Sequence, residues 1–517
     1  MKAKSIMIQG TASHVGKSVL VTALCRIFAQ DGYRVAPFKS QNMALNSFVT
    51  KEGGEMGRAQ AVQAEAAGVE PTVDMNPILL KPLGNSSSQV VILGQPAGNF
   101  SALQYHTEFT PGALDIIEGA LDRLGGKNDL IVIEGAGSPA EVNLQEHEIV
   151  NMRIARLAGA PVLLVADVDQ GGALASLVGT LELLAPEDRD RIVGFIINKF
   201  RGDPDLFRPA ISFLEQKTGK PVIGVVPYFQ DFRIQEEDTI PRDRFGPEQL
   251  GQGEIEIAVI HLPHISNFTD FDPLEVEPEV RLRYVGSGNR LGHPDLIILP
   301  GSKNTIEDLA FLNRSGLAGK ILEQRLAGTP VIGICGGFQM LGKEINDPLH
   351  TESDLPQTQG LGLLEISTTF ATGRVTNQVE AEVAGSGLFL CGAPPCRISG
   401  YEIHVGRTEL PPDARPAFTI LTRSGEKVFF PDGAVSPDGL VFGTYIHGIF
   451  DSDGFRRHIV NILRRRKGLD PLATGTISAR AQQSQNFDKL AALVRNSLDF
   501  EQLYRIVGLT GSAPGGK

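Results

Sequence analysis

The sequence predicts two α/β units in tandem, the first a doubly wound parallel sheet carrying a phosphate-binding loop (P-loop). Three observations carry that prediction. Short, continuously apolar runs alternate with helical stretches through the first half, as strands buried on both faces of a parallel sheet require. A glycine-bounded turn, Gly10-Thr11-Ala12-Ser13-His14-Val15-Gly16-Lys17-Ser18, falls between the first run and the first helix. A cysteine set among glycines, Gly333-Ile334-Cys335-Gly336-Gly337, follows an apolar run in the second half.

The elements follow in chain order. Strands are expected at Ser5–Gln9, Val35–Phe38, Leu130–Glu134, Pro161–Asp167, Ile192–Asn198 and Pro221–Val226. Lys17–Gln30 reads as a helix, with Leu20, Ala23, Leu24, Ile27 and Phe28 on one face and Asp31-Gly32 as its stop. Between about Tyr228 and Gly253 the text turns polar, which marks a domain boundary. Strand-like runs then resume as IEIAVIHLP, DLIILPG, TPVIGICGG, RISGYEIHVG and GLVFGTYIHGIF, with extra β character near the end. Asn486 to Val507 reads as one amphipathic docking helix. The expected division is 1–250, 251–455 and a helical extension over 456–517.

Composition bounds the function. The chain has 517 residues, 42% hydrophobic and 21% charged, so sizeable cores are affordable and disorder is excluded. A net charge of −12 argues against a general nucleic-acid binder. Four cysteines make no disulfide framework, and the Cys391-x4-Cys396 spacing lacks a second pair for zinc. Cys25 falls within the first helix and is expected to pack. No apolar stretch approaches the roughly 18 residues of a membrane span, and the N-terminus does not read as a signal peptide. A reduced, cytoplasmic protein is the expectation.

In the glycine loop, Gly10, Thr11, Gly16, Lys17 and Ser18 are candidate ATP ligands. Backbone N–H groups and the helix start give fixed positive potential for phosphate oxygens. Lys17 adds a charge for the β/γ-phosphates, and Ser18 can ligate Mg²⁺. Glu134 ends a strand at the carboxyl edge where such sheets bind ligands, and is a candidate metal partner for Ser18. Glu55 is a weaker second metal candidate. Asn198 ends another strand and is suited to reading a purine edge. Lys39 follows the second strand and would neutralise an acyl phosphate. Five residues separate the loop glycines where the common pattern has four. Ala12 stands where partition-type ATPases carry a second lysine, which argues against a P-loop switch ATPase. The longer loop resembles dethiobiotin synthetase, whose relatives phosphorylate a carboxylate with ATP.

In the second half, Cys335 sits on a sharp strand-to-helix turn like a nucleophile elbow, and a helix start favours thiolate. N–H groups of Gly336 and of the Pro300-Gly301-Ser302 loop are candidates for an oxyanion hole. A thiolate needs a histidine partner. His404 in GYEIHVGR and His447 in GTYIHGIF are the candidates, and His447, ending the last strong strand, is preferred. This half resembles the class I glutamine amidotransferases, which release ammonia from glutamine. Members of that class typically place Glu two positions after the histidine; here that position is Ile449. The expectation is therefore a Cys-His dyad with a loosely oriented histidine and slow or substrate-gated glutamine hydrolysis.

The loop, the stretch KSQNMALN, Leu299-Pro300-Gly301-Ser302-Lys303-Asn304-Thr305, the Cys335 elbow and GTYIHGIF occur in order. Together they resemble the cobyrinic/cobyric acid synthase branch of the class I glutamine amidotransferases, and within it the glutamine-hydrolysing cobyric acid synthases. The resemblance implies ATP and Mg²⁺ as cofactors, and glutamine and a corrinoid as partners. It implies amidation of four peripheral carboxylates (b, d, e and g) of adenosylcobyrinic acid a,c-diamide, giving adenosylcobyric acid. Gln41, Asn42 and Asn46 are candidates for binding the corrinoid's amide-bearing arms, or equally for capping a turn. The KSQNMALN stretch argues against cobyrinic acid a,c-diamide synthase, and the missing His-x-Glu against a CTP synthase-like enzyme. SNFTDFDPL is as family-specific as KSQNMALN and has no evident chemical role.

Overall fold

The computed structural model describes residues 3–83, 87–105, 109–143, 148–229, 234, 242–245, 254–353, 355–394, 397–412, 414–473 and 478–510. The chain forms two compact units. One comprises Met1–Ala44, Met56–Gln235 and Gln483–Lys517; the other comprises Leu45–Glu55 and Glu236–Gln482.

The first unit is built on six parallel strands in the order Val222–Pro227, Ile192–Phe200, Val162–Asp167, Lys4–Gly10, Leu130–Glu134, Val35–Phe38. Their continuous apolar runs are explained by cover on both faces. Ile6, Ile8, Val132, Leu163 and Ile196 share one cluster with Leu20, Leu24, Ile27 and Phe28 of the helix Lys17–Gln30. Cys25 is fully buried in the same cluster, and burial pushes its thiol up, as befits a packing residue. A second, four-stranded sheet runs Gln41–Met43, Ile78–Pro82, Ser87–Ile92, Gln95–Ser101. The sequence reading missed it, because these strands are short and the last is largely exposed.

The chain end corrects two expectations. The stretch read as one docking helix is two, Ala479–Ser497 and Phe500–Val507, with Asp499 capping the second by accepting from the Gln502 N–H. The break lets Leu498 bridge to Gly224, where the backbones pass so closely that a Cβ on Gly224 would lie 2.1 Å from the Ser497 carbonyl oxygen. Leu490, Val494, Leu498, Leu503 and Val507 all enter the core. Each contributes about 1.5–3 kcal/mol before ordering costs. Residues 456–517 are also not one extension. The helix Asp453–Arg466 packs Phe455, Ile459, Ile462 and Leu463 into the second unit's core, while residues from Gln483 onward belong to the first unit.

The second unit has a sheet ordered Val280–Val285, Ile255–Ile260, Leu296–Leu299, Val331–Ile334, Val441–Thr444, Ala434–Val435. The first five strands are parallel and the last is antiparallel. The expected extra β character is a further sheet dominated by the long pair Ser367–Val383 and Ile398–Glu409. Among the described residues no helix is long and apolar enough to cross a membrane.

Candidate active sites

In the first unit the strand Lys4–Gly10 runs into the glycine loop. Gly16 takes the left-handed φ of 98°, and His14 one of 60°. A Cβ on Gly16 would lie 2.1 Å from Asn198 Nδ2, so the loop requires glycine there. Asn198 Nδ2 donates to the Val15 carbonyl at 2.8 Å. Its amide nitrogen therefore braces the loop, where the sequence suggested a purine reader. Lys199, not singled out by sequence, donates to the His14 carbonyl at 2.7 Å and pairs with Asp167 at 2.9 Å. Thr11 N–H is bonded to the Val165 carbonyl at 2.9 Å. Lys17 Nζ donates to the carbonyls of Ala12 and Gly137, at 2.9 and 3.1 Å.

Glu134 is the hub beside this loop. Its Oε1 accepts from Ser18 Oγ at 2.8 Å and from Lys39 Nζ at 2.9 Å, and its Oε2 from Gln63 Nε2 at 2.5 Å. Burial pushes the carboxyl up, but the Lys39 charge and the three donors outweigh it and hold the group below its ordinary range. Lys39 is thus engaged with Glu134 rather than standing alone. Gln63 was missed; nothing in an alanine-rich helix distinguishes a glutamine that meets a buried carboxylate from a packed one. Ser18 and Glu134, a hydroxyl and one carboxylate side by side, fit the donor set Mg²⁺ uses when phosphates and water fill its remaining positions.

Glu55 does not fit that role. It belongs to the second unit, where it pairs with Arg374 at 2.8 Å and accepts from Ser47 Oγ at 2.6 Å. Its charge is neutralised by an arginine, so the expectation of a second metal ligand is withdrawn. Gln41, Asn42 and Asn46 each have a protein partner. Gln41 accepts from the Tyr105 hydroxyl and Asn42 donates to Gln60 at 3.0 Å, both in the first unit. Asn46 belongs to the second, its Oδ1 accepting from the Phe268 N–H at 3.2 Å.

In the second unit Cys335 joins the strand Val331–Ile334 to the helix Gly336–Met340 with φ 51° and ψ −107°. A non-glycine residue held there is strained, as nucleophile elbows are. The surroundings impose the strain. Cys335 N–H is bonded to the Thr444 carbonyl at 2.8 Å, and the Cys335 carbonyl accepts from Gln339 N–H at 3.1 Å. The helix starts so close to the sheet that a Cβ on Gly337 would lie 2.0 Å from the Leu299 carbonyl oxygen. A Cβ on Gly336 would lie 2.8 Å from the Ser302 nitrogen, and one on Gly301 3.1 Å from His447 Cε1. The candidate oxyanion-hole loop thus lies against both the elbow and the histidine.

His447 is fully buried. Tyr401 stacks on its ring at 5.0 Å and 12°, and their backbones exchange hydrogen bonds. Its Nδ1 lies 2.6 Å from Asp270 Oδ2. A carboxylate only accepts, so Nδ1 carries the hydrogen and Nε2 is left for chemistry. Burial alone would lower the ring's proton affinity; Asp270, with a further contribution from the Cys335 side chain, overrides this and raises its pKa to about 10. His404 is differently placed. Its ring lies flat on Tyr445 at 3.8 Å, and Nδ1 donates to the Gly406 carbonyl at 2.9 Å.

The expectation of a dyad with a loosely held histidine is therefore corrected. The carboxylate that holds the ring is Asp270, supplied by the turn Phe268–Val276 within SNFTDFDPL. It comes from far upstream in the chain, so the motif two positions past the histidine could not reveal it. Cys391 is exposed and free, outside this site, and Cys396 lies outside the described residues.

Comparison with known proteins agrees with both halves. Residues 6–241 match the CobQ/CobB/MinD/ParA nucleotide binding domain, and residues 256–455 the CobB/CobQ-like glutamine amidotransferase domain. The chain is 55% identical to a cobyric acid synthase of Pelotomaculum thermopropionicum, over 98% of this chain and 97% of that one. It is 56% identical to a cobyric acid synthase of Moorella thermoacetica over 98% of each, and 51% identical to one of Desulforamulus reducens over 99% of each. With a braced phosphate loop in one unit and an oriented cysteine elbow in the other, and with this identity along its length, the chain belongs to the cobyric acid synthase family.

Proposed function

We propose that the chain uses ATP and glutamine to amidate the four peripheral carboxylates of adenosylcobyrinic acid a,c-diamide. The observation that carries the glutaminase half is the Cys335 elbow with His447 fixed by Asp270.

In the second unit the Cys335 thiolate attacks the side-chain amide carbon of glutamine. The oxyanion that forms is held by N–H groups of Gly336 and the Gly301 loop. His447 gives its Nε2 proton to the departing nitrogen, releasing NH₃ and leaving a thioester. Water activated by the same nitrogen hydrolyses the thioester to glutamate and restores the thiolate. In the first unit a corrinoid carboxylate attacks the γ-phosphorus of ATP, displacing ADP and forming an acyl phosphate. Ammonia then replaces phosphate to give the amide. Lys17 and the loop N–H groups hold the phosphates, and catalysis is positioning and charge neutralisation. Ser18 and Glu134 would hold Mg²⁺, which would supply further neutralisation of the β/γ-phosphates. Lys39, held beside Glu134, would neutralise the developing acyl phosphate. The soluble, cytoplasmic setting inferred from sequence suits such a ligase.

The test is mass spectrometry of corrinoid acceptors after incubation with ATP, Mg²⁺ and glutamine. Four new amides on the a,c-diamide support the reading. Amidation of only the a and c positions of the unamidated acid, or amination of a uridine nucleotide, overturns it.

A further inference from the structure

Residues Leu45–Glu55 follow Lys39 closely in the chain, yet they are part of the second unit. Their attachments there are specific. Asn46 Oδ1 accepts from the Phe268 N–H at 3.2 Å, while Asn267 Oδ1 accepts from the Ser47 N–H at 2.8 Å. The two asparagines thus trade side-chain bonds for each other's neighbouring backbone, and both are buried. Asn267 takes φ 53° and its carbonyl accepts from the Asp270 N–H at 3.0 Å, so it opens the turn that carries Asp270. A few residues on, Phe48 packs on Tyr401, the ring stacked on His447. Val49 clusters with Tyr401 and Ile403, and the Ile403 carbonyl accepts from Cys335 Sγ at 3.5 Å. Gln378 Nε2 donates to the Val49 carbonyl at 2.8 Å, and Arg374 closes the segment's far end through Glu55.

The anchors named here therefore fall on, or next to, elements that hold Cys335 and His447. We propose that Asn46 and Asn267 form a positioning clamp for the glutaminase: their reciprocal bonds set the turn that places Asp270 against His447. Neither residue touches substrate in this role; both act through Asp270. The clamp assigns a task to two stretches, KSQNMALN and SNFTDFDPL, that share no chemistry by sequence alone. It also predicts that Asn46 serves glutamine hydrolysis and not corrinoid binding.

The test uses the full-length enzyme. Asn267→Gly keeps the left-handed backbone accessible and removes only the acceptor for Ser47 N–H. Asn46→Leu removes the acceptor for Phe268 N–H, and Asn46→Asp retains one. The measurements are kcat and KM for glutamine, amidation driven by ammonium chloride, and thermal midpoint. N267G and N46L are expected to lose at least about tenfold in kcat for glutamine with KM within about twofold. N46D is expected to recover most of that loss, and N267G to retain ammonia-driven amidation. Adding N267G to D270N is expected to cost nothing further, since both act on one bond. If N46L does not fold, N267G and the double variant decide. Unchanged glutamine kcat in folded N267G, parallel loss of ammonia-driven amidation, or additive losses with D270N would overturn the proposal.

Discussion

His447 Nδ1 and Asp270 Oδ2 lie 2.6 Å apart although 177 residues separate them in sequence. This bond fixes the imidazole's tautomer and leaves Nε2 for chemistry. It replaces the carboxylate that class I amidotransferases usually place two residues beyond the histidine.

Removing that carboxylate has a direct consequence. Asp270→Asn presents an amide that can donate to Nδ1, which favours the wrong tautomer. Glutamine turnover is expected to fall by roughly 10²–10⁴-fold, with ammonia-driven amidation retained. Equal loss of both activities would refute the assignment.

The same pair sets a pH profile. His447 must be protonated to release ammonia, and its pKa is raised to about 10. Glutaminase activity should therefore hold through neutral pH and decline as the pH rises through about 10. Without Asp270 the larger raising charge is gone and only the Cys335 contribution remains against burial, so the alkaline limb should move down. An unmoved limb in Asp270→Asn would contradict this origin of the shift.

The elbow's glycines are sterically required. Gly337→Ala would set a Cβ 2.0 Å from the Leu299 carbonyl oxygen, a backbone atom that cannot step aside. Overpacking of this kind costs about 1–3 kcal/mol or more, read as a lowered thermal midpoint together with lost glutaminase activity. Gly316→Ala serves as a control for glycine loss without crowding: Gly316 has nothing within 4 Å of its Cβ position, though its φ of 74° carries some strain. A midpoint for Gly337→Ala no lower than for Gly316→Ala would be inconsistent with the packing described.

Glu134→Gln keeps the size of the side chain and removes the charge that pairs with Lys39 at 2.9 Å. ATP-dependent amidation with either nitrogen source is expected to drop by at least about 100-fold, while glutamine hydrolysis without acceptor persists. Normal ATP use by this variant would show that Glu134 has no part in handling the metal–nucleotide complex.

Much of this was legible in the sequence. The continuous apolar runs gave all six strands of the first sheet to within two residues at each end, because two-sided burial leaves no polar alternation to confuse the reading. The P-loop and the Cys335 elbow were visible because both need glycines at fixed offsets. What was hidden depends on long-range packing. Asp270 meets His447 only after the chain has folded, and Glu55 looked available for a metal until Arg374 closed on it. Asn46 read equally as a corrinoid contact or a turn cap, because its partner, the Phe268 N–H, lies 222 positions further along the chain. Leu498 kept the helical pattern running through a break that close approach to Gly224 requires.

The most direct measurement follows the nitrogen. Glutamine labelled with ¹⁵N at its side-chain amide is incubated with the enzyme, ATP, Mg²⁺ and adenosylcobyrinic a,c-diamide, and the corrinoid is weighed by mass spectrometry. The label is expected in all four new amides and in none with Cys335→Ser, and ammonium chloride added to that variant is expected to restore amidation with unlabelled amides. Labelled amides formed by Cys335→Ser, or hydrolysis of glutamine with no nitrogen reaching the corrinoid, would contradict the account.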